Sequence, residues 1–119
     1  MSTQQPLQSF KVPTDDGREI HEYFGHASTL AGDFSVAHMK APAGWSEPMQ
    51  RPTFDEYLVV LRGKLCVEIN DSKFTVAEGQ SVVAPKEMRV RFTNPFDTEC
   101  EYIALCMPAF HPDRVRRES

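Results

Sequence analysis

A chain of 119 residues that is 40% hydrophobic and 25% charged can close one hydrophobic core and is too short for a second. Its formal net charge is −4 with the signs interspersed, and its one basic cluster, Arg114, Arg116 and Arg117, is too small to track a phosphate backbone, so no nucleic acid partner is expected. No apolar run approaches the roughly 20 residues that a membrane helix requires, so no membrane partner is expected either.

In chain order, the polar stretch from Met1 to Gln8 lacks the charged-then-apolar pattern of a signal peptide, which makes the cytoplasm the expected compartment. Thr14-Asp15-Asp16-Gly17 is a strong turn signal, and Gly17 to Phe24 reads as a strand suited to pairing at a sheet edge. Exchange of such an arm between two copies is a low-cost way to cover an edge, so a homodimer is expected. From Phe34 onward, short runs rich in Val, Ile, Leu, Phe and Tyr are broken by Gly, Pro, Asn or Asp, which is an all-β rhythm with no sustained helical period. The pattern predicts strands at 34–39, 55–61, 64–69, 73–76, 81–84, 89–93 and 101–106. Arg62-Gly63 and Asn70-Asp71-Ser72 supply tight hairpin turns, so neighbouring strands are mostly antiparallel. Cys66, Cys100 and Cys106 are odd in number and lack metal-type spacing, and they read as reduced packing residues. From Pro108 the tail carries prolines and many charges, and it is expected to leave the sheet and either cross a rim or fray.

Two segments carry a more specific frame. Gly44, Glu56 and Gly63 match the spacing Gly-x5-His-x-His-x3-Glu-x6-Gly, and Gly79, Pro85 and Asn94 match Gly-x5-Pro-x-Gly-x2-His-x3-Asn. In this the chain resembles the cupins. The stretch Gln50-Arg51-Pro52-Thr53-Phe54-Asp55-Glu56-Tyr57 is similar to a subgroup of small single-domain, RmlC-like cupins with degenerate metal motifs. The resemblance implies a double-stranded β-helix, a jelly-roll barrel with its site inside one mouth. It divides the single domain into an N-terminal arm (1–30), the barrel (31–108) and a short C-terminal tail (109–119). At the family's histidine positions stand Gln50, Pro52 and Val90, so Glu56 is the one ligand-type residue that survives. A carboxylate and an amide oxygen make a poor transition-metal site, so no metal and no other cofactor is expected. Glu87 replaces the second motif's glycine, which bears on the turn before Arg89.

If position 50 points into the barrel as the resemblance implies, alternation brings Pro52, Phe54, Glu56 and Leu58 to the same wall. Glu56 is the leading candidate for catalysis, because an apolar barrel mouth desolvates its charged form; the alternative is an ion-paired structural remnant. Gln50 either hydrogen-bonds a ligand or satisfies Glu56. His38, in a core strand, is read as a second catalytic group, a replacement ligand or a structural histidine, with its direction open. Trp45 and Glu47 sit on the loop entering the first motif, where Trp45 either stacks on a flat ligand or packs at the rim. Met88, Val90 and Phe92 form an apolar ligand-facing wall, with Arg89 and Arg91 pointing outward. His21, His26 and His111 have no assembling spacing and receive no role.

These residues support three readings. The first is a metal-independent isomerase, dehydratase or lyase acting on a small polar, sugar- or acid-like metabolite through Glu56. The second is a non-catalytic module that binds a small metabolite, and the third is an atypical metal-dependent protein using His38, Gln50 and Glu56.

Overall fold

Every second residue from Gln50 to Val60 is buried, and those between are exposed or half-buried, in the computed structural model, which describes residues 5–29 and 32–118. That period of two marks a strand with one face in a core. It recurs near the C-terminal end, where Cys100, Tyr102, Ala104 and Cys106 turn inward.

The strands among the described residues are β1 (Phe10–Val12), β2 (Glu19–Phe24), β3 (Ser35–Ala41), β4 (Asp55–Arg62), β5 (Lys64–Ile69), β6 (Ser72–Ala77), β7 (Ser81–Ala84), β8 (Val90–Thr93) and β9 (Cys100–Met107). All strands predicted from Phe34 onward form. They pair antiparallel into a six-stranded sheet, in the order β1-β2-β3-β9-β4-β7, and a three-stranded sheet, β6-β5-β8. The core between the sheets is built from Leu58, Val60, Leu65, Val67, Phe92 and Tyr102 and their neighbours. All three cysteines are free and buried, Cys100 in this core and Cys106 in a smaller cluster with Phe54 and Val115, in line with their reading as packing residues.

Two turn positions of the frame carry left-handed backbone. Gly63, between β4 and β5, has φ 79°, and a Cβ there would come within 2.7 Å of the Glu99 carbonyl oxygen. At the second motif's glycine position, Glu87 adopts the same left-handed region with φ 72°, so the turn into β8 keeps its shape despite the substitution. Glu87 also pairs with Arg116 of the tail. Arg89 and Arg91 point away from the core and are held by Glu118 and Glu68, at 2.7 and 2.9 Å.

The N-terminal arm and the C-terminal tail are the elements that shape the site. The arm folds back as a hairpin, with Thr14–Gly17 as its turn and Arg18 N–H donating to Asp16 Oδ1 at 3.1 Å. It extends the sheet beside β3 through the pairs Ile20–Met39 and His21–His38. Phe10–Val12 was not expected as a strand; with only three residues it has no alternation to read, and its pairing comes from β2. The tail crosses the barrel rim. Thr53 N–H donates to Arg114 O at 2.8 Å, Arg51 N–H to Arg116 O at 3.2 Å, and Glu118 N–H to Met49 O at 2.8 Å, which lays residues 114–118 alongside the first-motif segment with Val115 buried beneath.

Candidate functional site

Where the barrel opens beneath this strap, a chamber of about 40 Å³ lies between β2, β3, β4, β8 and β9. A volume of that size holds about three water-sized groups. Its walls include Gln50, Phe54 and Glu56 from the first-motif segment, Phe92 from β8, and Glu47 from the preceding loop. Glu22 of β2 and Ser35 of β3 complete its polar lining, while Ala37, Ala104 and Cys106 keep the interior open by being small. The chamber leads into an outer vestibule of about 620 Å³ bounded by the hairpin turn and the strap. Val12, Arg18, Ile20, Phe110, Val115 and Arg117 line both spaces and form the neck between them.

Glu56 is held in place by β4 pairing, opposite Ala84 on one side and Cys106 on the other. It is 9% exposed, and no hydrogen bond from the described residues reaches its carboxyl group. Burial pushes its pKa up to about 7; the neighbouring Glu47 carboxylate adds to the rise and Arg18 opposes it. Glu56 therefore passes between acid and base near neutrality, which is the range in which a carboxyl group can both give and take a proton.

Glu47 and Arg18 form the electrostatic frame behind it. Glu47 Oε2 accepts from the Phe92 backbone N–H at 3.2 Å, and Oε1 lies 3.7 Å from Arg18 Nη1. Burial raises the Glu47 pKa, against the pull of Arg18, the Phe92 N–H and Arg117. Arg18 Nη1 also donates to the Tyr102 hydroxyl at 3.1 Å, and its guanidinium lies 4.5 Å from the Trp45 ring centre. Trp45 Nε1–H in turn donates to Asp16 Oδ2 at 2.9 Å, which latches the hairpin turn onto the barrel. Burial works against ionised Asp16, but the Trp45 and Arg18 contacts outweigh it and hold its carboxyl below its ordinary pKa. The Cys106 thiol is pushed well up, by burial first and then by Glu56, so it is neutral and no nucleophile.

Gln50, Phe54, Glu56 and Phe92 thus line the chamber on the phase expected of them, and Glu47 joins them from the loop entering the first motif. Four other candidates lie elsewhere. His38 points to the outer face, because Ser35, Ala37 and Met39 take the inward positions of β3; its Nε2 lies 3.3 Å from Glu101. Trp45 is 3% exposed and packed in the core, where it supports Arg18 and offers no ring face to a ligand at the rim. Val90 does face inward, joined to Gln50 by reciprocal backbone bonds at 2.9 and 2.8 Å, but it lies in the core and Met88 is half-buried against it, and neither lines the chamber. Sequence reasoning missed Arg18 and Glu22. Both had the same legible signal, a charged residue in phase with Ile20 on the predicted strand from Gly17 to Phe24.

The donor set does not fit a metal of the kind the first-motif frame implies. Pro52 and Val90 offer no donor side chains, His38 faces away, and among the described residues no group of three His, Cys, Asp or Glu side chains is placed to hold a metal ion.

The profile of the "Cupin domain" family matches residues 37–106. A curated relative, Endoribonuclease YbeY of Myxococcus xanthus (strain DK1622), is 40% identical over 108 residues, which make up 91% of this chain. The chain spans only 37% of that relative's length. Among solved structures, oxalate decarboxylase from Bacillus subtilis superposes with a TM-score of 0.80 at 12% identity, covering 98% of this chain and 33% of that one. A PAC13 variant from Streptomyces, solved with uridine, gives 0.77 at 13% identity, covering 98% and 92%. At these identities the likeness shows the fold.

Proposed function

This chain belongs to the cupin domain family, and we propose that it is a metal-independent acid–base enzyme, an isomerase, dehydratase or lyase of a small polar, sugar- or acid-like metabolite, with Glu56 as the proton-transferring group. The observation that carries this reading is the placement of Glu56: a carboxyl on a chamber wall, buried and without a hydrogen-bond partner among the described residues, beside Glu47 and Arg18. A structural carboxylate at such a site would be ion-paired or hydrogen-bonded. In the proposed step the Glu56 carboxylate takes a proton from a carbon next to a carbonyl, and the C–H electron pair moves into the enolate. The carboxylic acid then returns that proton, either to the former carbonyl carbon while the α-hydroxyl proton passes to the former carbonyl oxygen, or to a β-hydroxyl that departs as water. Arg18 lines the chamber, and its Nε–H is buried without a partner among the described residues, which makes it a fitting donor for the developing oxyanion.

Proton-transfer chemistry of this kind is tested in D2O with chelator present. Sugars, hydroxy and keto acids and nucleosides are incubated with the protein and followed by NMR for deuterium at carbon or for loss of water. The expected result is exchange or turnover that rises through about pH 7 as Glu56 ionises, and that falls about 10²–10⁴-fold in Glu56→Gln. Turnover that requires an added metal, or that survives Glu56→Gln, contradicts the reading.

A second reading, a metabolite-binding module without turnover, is favoured by one observation: the relative at 40% identity matches this chain over only part of its length. Under that reading ligand binding persists in the parent while every substrate stays unchanged. Assembly as a homodimer accompanies either reading. Tyr57, Val59, Val83 and Met107 are exposed on the outer face of the six-stranded sheet, with Tyr57 paired to Val83, and give it the apolar character of a contact surface.

A further inference from the structure

We infer that the ligand of this site is a hydroxylated organic anion that enters hydroxyl end first, its hydroxyls meeting Gln50 Oε1 and Glu56 in the chamber and its anionic group resting at the neck against Arg18 and Arg117. The inference deepens the reading of Glu56 as the reacting group by naming what it acts on.

Size sets the first constraint. The chamber admits about three small groups, whereas the vestibule outside it, at about 620 Å³, falls within the range of metabolite clefts. A ligand therefore places only its end in the chamber. Hydrogen bonding sets the second. Gln50 is 6% exposed, and its Oε1 is buried with no partner among the described residues. A buried acceptor left in that state forfeits its solvation without replacement, and a ligand hydroxyl restores the lost hydrogen bond. The Glu56 carboxyl across the same chamber is also without a hydrogen bond and accepts a second hydroxyl.

Charge at the neck sets the third. Both guanidiniums there border the chamber and the vestibule. Arg18 is committed through Nη1 to Tyr102 and Glu47, but its Nε–H is left without a partner. Of the strap's arginines, Arg116 pairs with Glu87 and Arg114 Nη1 donates to the Ala109 carbonyl at 2.7 Å, whereas among the described residues the Arg117 side chain has neither an ion pair nor a hydrogen bond. A carboxylate or a phosphate satisfies this pair equally well in chemical terms. Asp15, Asp16 and Asp113 border the outer vestibule, so an anion is favoured at the neck and disfavoured farther out.

A six-carbon probe series separates the elements of the inference: D-glucitol, D-gluconate, D-glucitol 6-phosphate and hexanoate, each titrated into the full chain by calorimetry. The expected result is binding of gluconate or glucitol 6-phosphate at least about tenfold tighter than of glucitol or hexanoate, and the tighter of the two anions identifies the charged group. Arg117→Gln, a change at an exposed residue, is expected to remove that preference while leaving glucitol binding unchanged. Gln50→Leu is expected to weaken the polyols and leave hexanoate unaffected. Equal binding of glucitol and gluconate, an Arg117→Gln variant that keeps the preference, or no binding of any probe overturns the inference. None of these outcomes depends on turnover, so failure here is distinct from failure of the Glu56 chemistry.

Discussion

Glu56→Gln is expected to make the protein more stable than its parent at pH 8.5 and equally stable at pH 4. Folding raises the Glu56 pKa from 4.5 to about 7, with burial as the main cause and Glu47 as the second. Between those values the folded chain holds a proton that the unfolded chain has released. The unfolding free energy therefore falls as pH rises from about 4.5 to about 7, and is flat above and below that window. The full difference corresponds to roughly 3 kcal/mol, at 1.36 kcal/mol per pH unit. Glutamine has nearly the same shape and does not ionise, so the variant avoids that cost, which amounts to about 10 °C in Tm for a domain of this size. Urea denaturation of both proteins across the pH range checks this. Parallel curves at every pH would mean that Glu56 is solvated or paired in solution.

The second large effect is expected at Arg18. Arg18→Gln leaves the buried Glu47 carboxylate with the Phe92 N–H and the more distant Arg117 as its remaining stabilising contacts. Breaking one side of a buried pair typically costs about 3–5 kcal/mol, because the remaining charge is uncompensated. The loss extends to the arm, since Arg18 also sits against the Trp45 ring and the Tyr102 hydroxyl. The double variant Arg18→Gln, Glu47→Gln is expected to recover much of the lost stability, giving a strongly non-additive cycle. Additive losses would show that the two residues act independently. Arg18→Gln is also expected to move the rising limb of activity to higher pH, because Arg18 is the charge that draws the Glu56 pKa down.

The barrel was legible because its strands obey a period of two and its turns carry residues that tolerate positive φ. Gln50 to Val60 alternate without exception, and Gly44, Gly63 and Gly79 all lie at φ near 80°. The same alternation placed Gln50, Phe54 and Glu56 on one wall. It could not orient His38, because β3 carries Val36 outward and the small Ser35 and Ala37 inward, so hydrophobicity does not mark the inner face. Trp45 lies outside the strands, where no period applies; its place in the core and its contacts with Arg18 and Asp16 come from segments distant in sequence.

The features that give the site its chemistry were the least legible, because they depend on contacts between distant segments. Arg18 meets Glu47 from a segment 29 residues away, and Arg117 arrives at the neck because the tail pairs with residues 49–53. The strand phase of Arg18 with Ile20 marks the face it takes, but nothing in the sequence announces either partner. The tail was expected to cross a rim or fray; backbone bonds at Arg51, Thr53 and Glu118, together with the burial of Val115, make it a rim strap.

The central claim is that the Glu56 carboxyl is a desolvated acid–base group, and its titration by carbon-detected NMR tests this most directly, with Glu56→Gln used to assign the side-chain carboxyl resonance. The account predicts a midpoint near 7. A midpoint at the ordinary glutamate value would contradict it, since that would place the carboxyl in water or in an ion pair and leave the chamber without its proton carrier.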